Sequence, residues 1–295
     1  MDPAPTSIDH LVLPVRDLDL ARARYEALGF HVAADAQHPF GTENACIFMQ
    51  DGTYLEPLGV ADRTLAEIES RKGNPFLRRD QAYRFRVDDE GFSMVAMRSK
   101  NAAADLKTFS ELGFAFGELF PFSRSAETLD GTIQIGVELA FAADDRAPDA
   151  AFFACERMNM DSLWSPERTA HENGVIGLSA VLMSEENPTD FQYLLQAATG
   201  MRDFASSSNG LSFHMEGADI FCFTPTAMQH LFAIPCSRSE RGARFEGVVF
   251  LCKSVRELKA HLEAGSIECF DHLGRLIVPA APGQGVPFIF EEISQ

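Results

Sequence analysis

The stretch "SIDHLVLPVRDLDLARARYEALGF", residues 7–30, runs an apolar strand into an amphipathic helix and closes on a glycine. The same order recurs three more times. The helical parts are "DLARARYEALGF" (19–30), "AADLKTFSELGF" (103–114), "DFQYLLQAATGM" (190–201) and "VRELKAHLEAGS" (255–266). In each, a glycine (Gly29, Gly113, Gly200, Gly265) falls where a helix ends in a left-handed residue, a conformation that costs little without a Cβ. Apolar strands precede the helices at 8–15, 82–87 ("AYRFRV"), 175–183 and 245–252. Further strand patterns follow each glycine, as in "FHVAA" (30–34), "ACIFM" (45–49) and "TYLEPL" (53–58). The chain therefore reads as four βαβββ units at about 1–60, 80–158, 172–225 and 244–293. One such unit leaves a curved sheet face bare, so the units are expected to pair and enclose cavities. The expected architecture is α+β, with an N-terminal domain over 1–158, a linker over 159–171 and a C-terminal domain over 172–295.

Composition bounds what such domains can do. Two domains suit 295 residues, and 25 Phe against one Trp and four Tyr suit dry cores or an apolar ligand cavity. The net charge of −18 makes nucleic acid and anionic membranes poor general partners. An anionic small molecule would have to meet arginines placed locally. Six cysteines without a paired spacing read as reduced core thiols. No targeting segment and no run long enough for a membrane helix is recognisable, so a cytoplasmic protein is expected.

Three polar features interrupt the apolar pattern. His10 alone in a strand reads first as a hydrogen-bonded core residue. Glu56, between Leu55 and Pro57, would be costly in a buried strand unless paired or metal-bound. If Gln50–Thr53 closes a hairpin, Ile47 lies opposite Glu56 and Met49 opposite Tyr54. In "AYRFRV", period-2 alternation sets Arg84 and Arg86 on one face, either towards a cavity, where guanidinium would grip a carboxylate, or towards solvent.

With "IDHLVLPVRDL", the "LGF" helix end, "QHPFGTENACIFMQDGTYLEPLG" (37–59) and "HENGVIGL" (171–178), the chain resembles the vicinal oxygen chelate superfamily, and more closely its glyoxalase-like branch. The resemblance implies a divalent metal (Zn, Mn, Fe or Ni) held by the first and last strands of a unit, places occupied by His10 and Glu56. It also implies matching ligands from the partner unit, yet the aligned positions, near Ala82 and Phe153–Cys155, carry no usual hard ligand. His38 is then the nearest candidate for a third ligand or an acid–base group, and Thr42 and Asn44 read as turn-shaping residues. Arg124, ahead of "ETLDGT" (127–132), resembles a substrate-binding arginine of the family. The C-terminal pair offers Gly177 or Leu178 and Phe221 in the ligand places; His214 and Asp219 face each other as a structural pair or, alternatively, a second site or substrate contact, and His171 sits at the domain junction as a structural bridge or a catalytic group. The leading expectation is a metal-dependent lyase or isomerase acting on a small anionic substrate that chelates through adjacent oxygens, with Glu56 and His38 catalytic and Arg84, Arg86 and Arg124 binding substrate. An extradiol-type dioxygenase and a non-catalytic drug-binding protein are the alternatives, and a homodimer is compatible with either.

Overall fold

The computed structural model describes residues 6–128, 131–236 and 240–293, with the side chains of 126–128 outside the described set. Unit one comprises β1 (Ile8–Pro14), α1 (Leu18–Ala27), β2 (Ala36–Gln37), β3 (Thr42–Asn44), β4 (Ile47–Phe48) and β5 (Tyr54–Val60). Helices α2 (Arg63–Arg71) and α3 (Pro75–Arg86) lead to unit two: β6 (Met94–Ser99), α4 (Ala102–Glu111), β7 (Ala115–Thr128), β8 (Gly131–Ala142) and β9 (Ala151–Met158). After the short α5 (Pro166–Thr169), unit three holds β10 (Val175–Ser184), α6 (Gln192–Thr199), β11 (Ala205–Ser207), β12 (Gly210–Phe213) and β13 (Asp219–Phe223). Helix α7 (Pro225–Phe232) precedes unit four: β14 (Arg244–Cys252), α8 (Val255–Ala264), β15 (Phe270–His272), β16 (Arg275–Val278) and β17 (Phe288–Glu292).

The units pair into two mixed sheets of matching order. The first runs β2-β3-β5-β1-β6-β9-β8-β7, with β4 also on β5, and the second runs β11-β12-β13-β10-β14-β17-β16-β15. In both, the first strands of two units meet antiparallel at the centre, and each is flanked by its own unit's last strand in parallel. That order sets β1 and β5 side by side, which places side chains from the first and last strands of unit one together.

Local signals explain the helices. Asp17, Asn101 and Ser254 cap α1, α4 and α8, each side chain accepting a hydrogen bond from a first-turn N–H. Gly29, Gly113 and Gly200 are left-handed as expected (φ 83°, 79° and 66°), but Gly265 is not. There the left-handed residue is Ser266, at φ 55°, so the turn closes one position later.

The strand expected at 82–87 is instead the end of α3. Asn74 caps that helix through Leu77 N–H (3.2 Å), Pro75 opens it, and Phe76, Leu77, Asp80 and Tyr83 are buried at helical spacing. A six-residue alternation cannot be told from a helix end by periodicity alone, and here the cap decides. The first strand of unit two is β6, twelve residues further on. "FHVAA" forms no strand, and the hairpin pairs Ile47 with Leu55 and Phe48 with Tyr54, one residue from the expected register.

A shared core joins the sheets: Tyr25 and Phe30 of unit one pack on Phe288 and Phe250 of unit four at centroid distances of 5.7 and 5.5 Å. The other face of each sheet differs between the two. In the second sheet, Met228 and Phe232 of α7 fill that face against Leu182, Val249 and Ile289. In the first, α3 covers only part of it. Backbone geometry is tight where β12 begins. Gly210 has φ 133°, and a Cβ there would lie 2.2 Å from the Cys222 carbonyl oxygen. Gly210→Ala is expected to lower the urea-unfolding free energy by about 1–3 kcal/mol from backbone strain alone.

Candidate metal centre and ligand cleft

Each polar residue of the cleft is set by a strand. β1 pairs with β5 so that His10 lies opposite Tyr54 and Val12 opposite Glu56, bringing His10 and Glu56 diagonally together. His10 Nε2 is 3.4 Å from Glu56 Oε2. β3 pairs antiparallel with β5, and Asn44 Nδ2 donates to Glu56 Oε1 at 2.6 Å. His38, in the tight turn before β3, shares a 2.9 Å hydrogen bond between Nδ1 and Thr42 Oγ1, and its Nε2 is 3.6 Å from Glu56 Oε1. Two imidazole nitrogens thus face opposite oxygens of one buried carboxylate. His10, His38, Asn44 and Glu56 are all under 10% exposed.

The rings are fixed by packing. Tyr54 stacks on His10 at 4.3 Å and Phe153 meets its edge at 5.4 Å. Phe40 stacks on His38 at 5.0 Å and Phe122 meets it edge-on at 5.3 Å. His10 Nδ1 donates to Asp9 Oδ1 at 2.7 Å, leaving Nε2 to face Glu56. Asp9 is wholly buried; its second oxygen accepts from Arg157 Nε of β9, and Arg98 Nε lies 3.6 Å away. Arg157 in turn lies over the Trp164 ring at 4.5 Å.

Electrostatics follow from this packing. Burial alone would raise the Glu56 carboxyl, but the hydrogen bond and charge of His10, with His38 and Asn44, hold it down at about 2. Burial would also lower His10; hydrogen bonds and charge from Asp9 and Glu56 override it and hold His10 above the usual histidine range. His38 has no such pair of anions. Burial pushes it down to about 4, so it is neutral at physiological pH.

His10, His38 and Glu56 are candidate donors for a divalent ion. They offer two imidazole Nε2 atoms and a carboxylate, with Asp9 and Thr42 on the far nitrogens in the way outer-shell partners orient metal-bound histidines. Asn44 Oδ1 is buried beside it without a hydrogen-bond partner among the described residues, which a ligand would relieve. Among the described residues, the donor atoms that all lie within 4.8 Å of one another are those of Asp9, His10 and Cys155. In the metal-free protein both Asp9 oxygens are held, by His10 and Arg157, and burial pushes the Cys155 thiol well above its ordinary range.

Around this polar end the cleft, about 40 Å³, is apolar, with Phe48, Phe76, Phe122, Phe153 and Met160 among its walls. Arg124 of β7 stands in it, but Asp130 of the "ETLDGT" segment lies outside the described residues. Arg84 and Arg86 do not line it. Arg84 is held by Asp80 at 2.9 Å and by the carbonyls of Val15, Leu58 and Asp89, and Arg86 by Asp149 at 2.8 Å, because both lie on α3. Asn44 is not merely a turn residue: it sits in β3 and grips Glu56. The shared register puts Phe153 in the place of Glu56 in unit two and Met94, not Ala82, in the place of His10. In the second sheet Ala180 lies opposite Asp219 and Leu182 opposite Phe221, so Ala180, not Gly177 or Leu178, takes the place of His10 diagonal to Phe221. His214 Nδ1 and Asp219 Oδ2 lie 2.7 Å apart at the surface, and His171 Nδ1 accepts the His31 N–H at 3.0 Å as a bridge.

Two further residues at the cleft lay outside the sequence reading, one with a signal and one without. Among the described residues, Asp9 is the only acid in a strand buried along its whole length, which marks a paired charge. Met160 belongs to the segment expected as a linker, where nothing in the sequence announces a cavity wall.

Comparison with known proteins agrees with this fold. A family model described as a glyoxalase-like domain matches residues 8–199. No curated protein matches the chain. Among solved structures, a hypothetical protein from Staphylococcus aureus is similar, with a TM-score of 0.66 and 11% identity over 98% of this chain and 99% of that one. The 2,2',3-trihydroxybiphenyl 1,2-dioxygenase of Sphingomonas wittichii strain RW1 has a TM-score of 0.55 and 10% identity over 99% and 92%. The Mn(II)-bound glyoxalase of Novosphingobium aromaticivorans has a TM-score of 0.53 and 11% identity over 98% and 82%.

Proposed function

The chain belongs to the glyoxalase-like domain family of the vicinal oxygen chelate superfamily, and from that premise we propose that it is a divalent-metal enzyme acting on a small molecule with adjacent oxygens. One observation carries the reading: His10 Nε2 and His38 Nε2 face the two oxygens of Glu56, at 3.4 and 3.6 Å, at the polar end of an aromatic cleft. His10, Glu56 and His38 would hold the ion (Zn, Mn, Fe or Ni), which when bound supplies Lewis-acid polarisation of a substrate oxygen.

The chain's own groups supply the rest. Asn44 keeps one oxygen of Glu56 in place, and Asp9 fixes the orientation of His10. The phenylalanines exclude water and strengthen every charge interaction at the polar end. A proton taken from the bound substrate goes to Glu56 or, if His38 is not a ligand, to its neutral Nε2. His38→Gln separates the roles: loss of turnover with the metal kept makes His38 a base, and loss of both makes it a ligand. Arg124 orients an anionic group of the substrate. The leading reaction class is lyase or isomerase chemistry by proton transfer next to a carbonyl. Solvent-deuterium exchange at that carbon, followed by NMR with a panel of hydroxyketones and the metal-loaded protein, tests it.

A second reading rests on the donor set itself. Two imidazoles and one carboxylate with open positions also suit Fe(II) oxygen chemistry. Oxygen consumption with a catechol after Fe(II) loading, and no deuterium exchange, would favour it.

A pH dependence follows with a definite sign. His10 is held above the usual histidine range, so in the metal-free protein its proton, which the metal must displace, is retained to higher pH than on an ordinary histidine. Metal affinity should fall about tenfold per pH unit below the His10 pKa and level off above it. Glu56, at about 2, and His38, at about 4, do not compete until far lower pH. Metal titrations by calorimetry between pH 5 and 9 check this, and a flat profile would contradict it.

A further inference from the structure

The tip of the β4–β5 hairpin, whose second strand carries Glu56, reaches the second sheet. Asp51 Oδ2 accepts from the Leu178 N–H of β10 at 2.8 Å, and the Asp51 N–H donates to the Ile176 carbonyl at 3.3 Å. Between those two β10 residues stands Gly177, where a Cβ would lie 2.2 Å from Asp51 Oδ2. A side chain at that position would take the place of the carboxylate. Its other oxygen closes the turn, accepting from the Thr53 N–H at 2.9 Å and the Thr53 hydroxyl at 2.6 Å. The next residue of the tip faces the first sheet. Gly52 O accepts from Arg98 Nη2 at 2.8 Å and from Arg157 Nη2 at 3.2 Å. These are the two guanidinium groups that face Asp9, the acid that orients His10. One peptide link and a series of polar contacts therefore join β10 to the His10 ring.

We propose that Asp51 is a positioning residue for the site. By docking the hairpin tip on β10, it holds Gly52 O where Arg98 and Arg157 clamp Asp9, and so fixes the His10 ring. The second sheet has Ala180 and Phe221 where the first has His10 and Glu56. It serves the site of the first sheet by anchoring the hairpin. Groups in one hydrogen-bonded network are coupled, so a link lost at Asp51 is felt at Asp9. The orientation of His10 is separate from what its Nε2 binds, so only the zinc measurement below rests on the metal reading given above.

NMR of metal-free protein labelled with ¹⁵N-histidine gives the His10 Nδ1–H as a resonance that His10→Gln lacks, and its exchange with solvent reads how firmly Asp9 holds the ring. In Gly177→Ala and in Asp51→Ala that proton should exchange about threefold to tenfold faster, the worth of one hydrogen bond. Both changes break the same contact, so the double variant should exchange no faster than Asp51→Ala. Asp51 is exposed, so its variant provides the measurement where Gly177→Ala fails to fold. Ile289→Val, a core change on the α7 face of the second sheet, should lower the thermal midpoint and leave the rate unchanged. Wild-type exchange in both Gly177→Ala and Asp51→Ala would overturn the proposal, as would an equal acceleration in Ile289→Val. Zinc titration then follows the effect to the metal: both variants should bind zinc about tenfold more weakly than the wild type. If the wild type binds no zinc, the metal reading fails, while the exchange rates still decide whether Asp51 positions His10.

Discussion

Glu56→Gln is expected to weaken divalent-metal binding by at least about a hundredfold, beyond the usual cost of losing an outer-shell partner. The substitution keeps shape and removes charge. Glutamine can still accept from Asn44, so the β3–β5 pairing survives, but His10 and His38 lose the anion between them. Without the carboxylate, the His10 imidazolium has only Asp9 to stabilise it, so its pKa should also fall. Calorimetric metal titration, with a thermal melt to confirm folding, measures the first effect. Unchanged affinity would remove Glu56 from the site.

Asp9→Asn is expected to be the more damaging change to stability. Asp9 is fully buried and faces His10, Arg157 and Arg98. Burial alone would raise its carboxyl, but the hydrogen bond and charge of His10, then Arg157, hold it below the usual range. An amide in that place can accept from His10 only by turning its N–H₂ towards the Arg157 donors. One buried cation then loses its partner, a defect worth about 3–5 kcal/mol. The sign with pH follows. A carboxylate with a lowered folded-state pKa contributes its stability above the unfolded value near 3.8 and loses it as pH falls below that. The wild type should therefore lose stability relative to Asp9→Asn in strongly acidic urea melts. Metal affinity of the variant should drop about 10–100-fold through the loosened His10 ring. A change under about 1 kcal/mol would mean that the Asp9 cluster is not the clamp its geometry indicates.

Unit two contributes differently from what resemblance to its family implies. It supplies no ligand in the matching places, Met94 and Phe153. It does supply Arg157, two residues beyond Cys155 on the same strand, which holds the acid that orients His10. In the second sheet, α7 packs on the corresponding face.

What could be read from the sequence divides along physical lines. The fourfold strand–helix–glycine order was legible because caps, apolar runs and left-handed glycines are local. His10 and Glu56 were legible because a charged or imidazole side chain in an apolar strand is costly alone. Residues 82–87 were misread because their alternation is also the end of a helix whose cap, Asn74, lies eight residues upstream. With that error went Arg84 and Arg86, whose partners on Asp80 and Asp149 become visible only once the helix is placed. Asn44 and Met160 were out of reach for another reason. Their roles depend on a β3–β5 register and on the path of a segment between the sheets, both long-range.

Elemental analysis of protein purified without added metal, beside His10→Ala and Glu56→Gln, tests the central claim most directly. One divalent transition-metal ion per chain in the wild type, and near none in either variant, is the expected result. A wild type without metal that also fails to bind Zn, Mn, Fe or Ni on addition would contradict it, as would variants that keep the full complement.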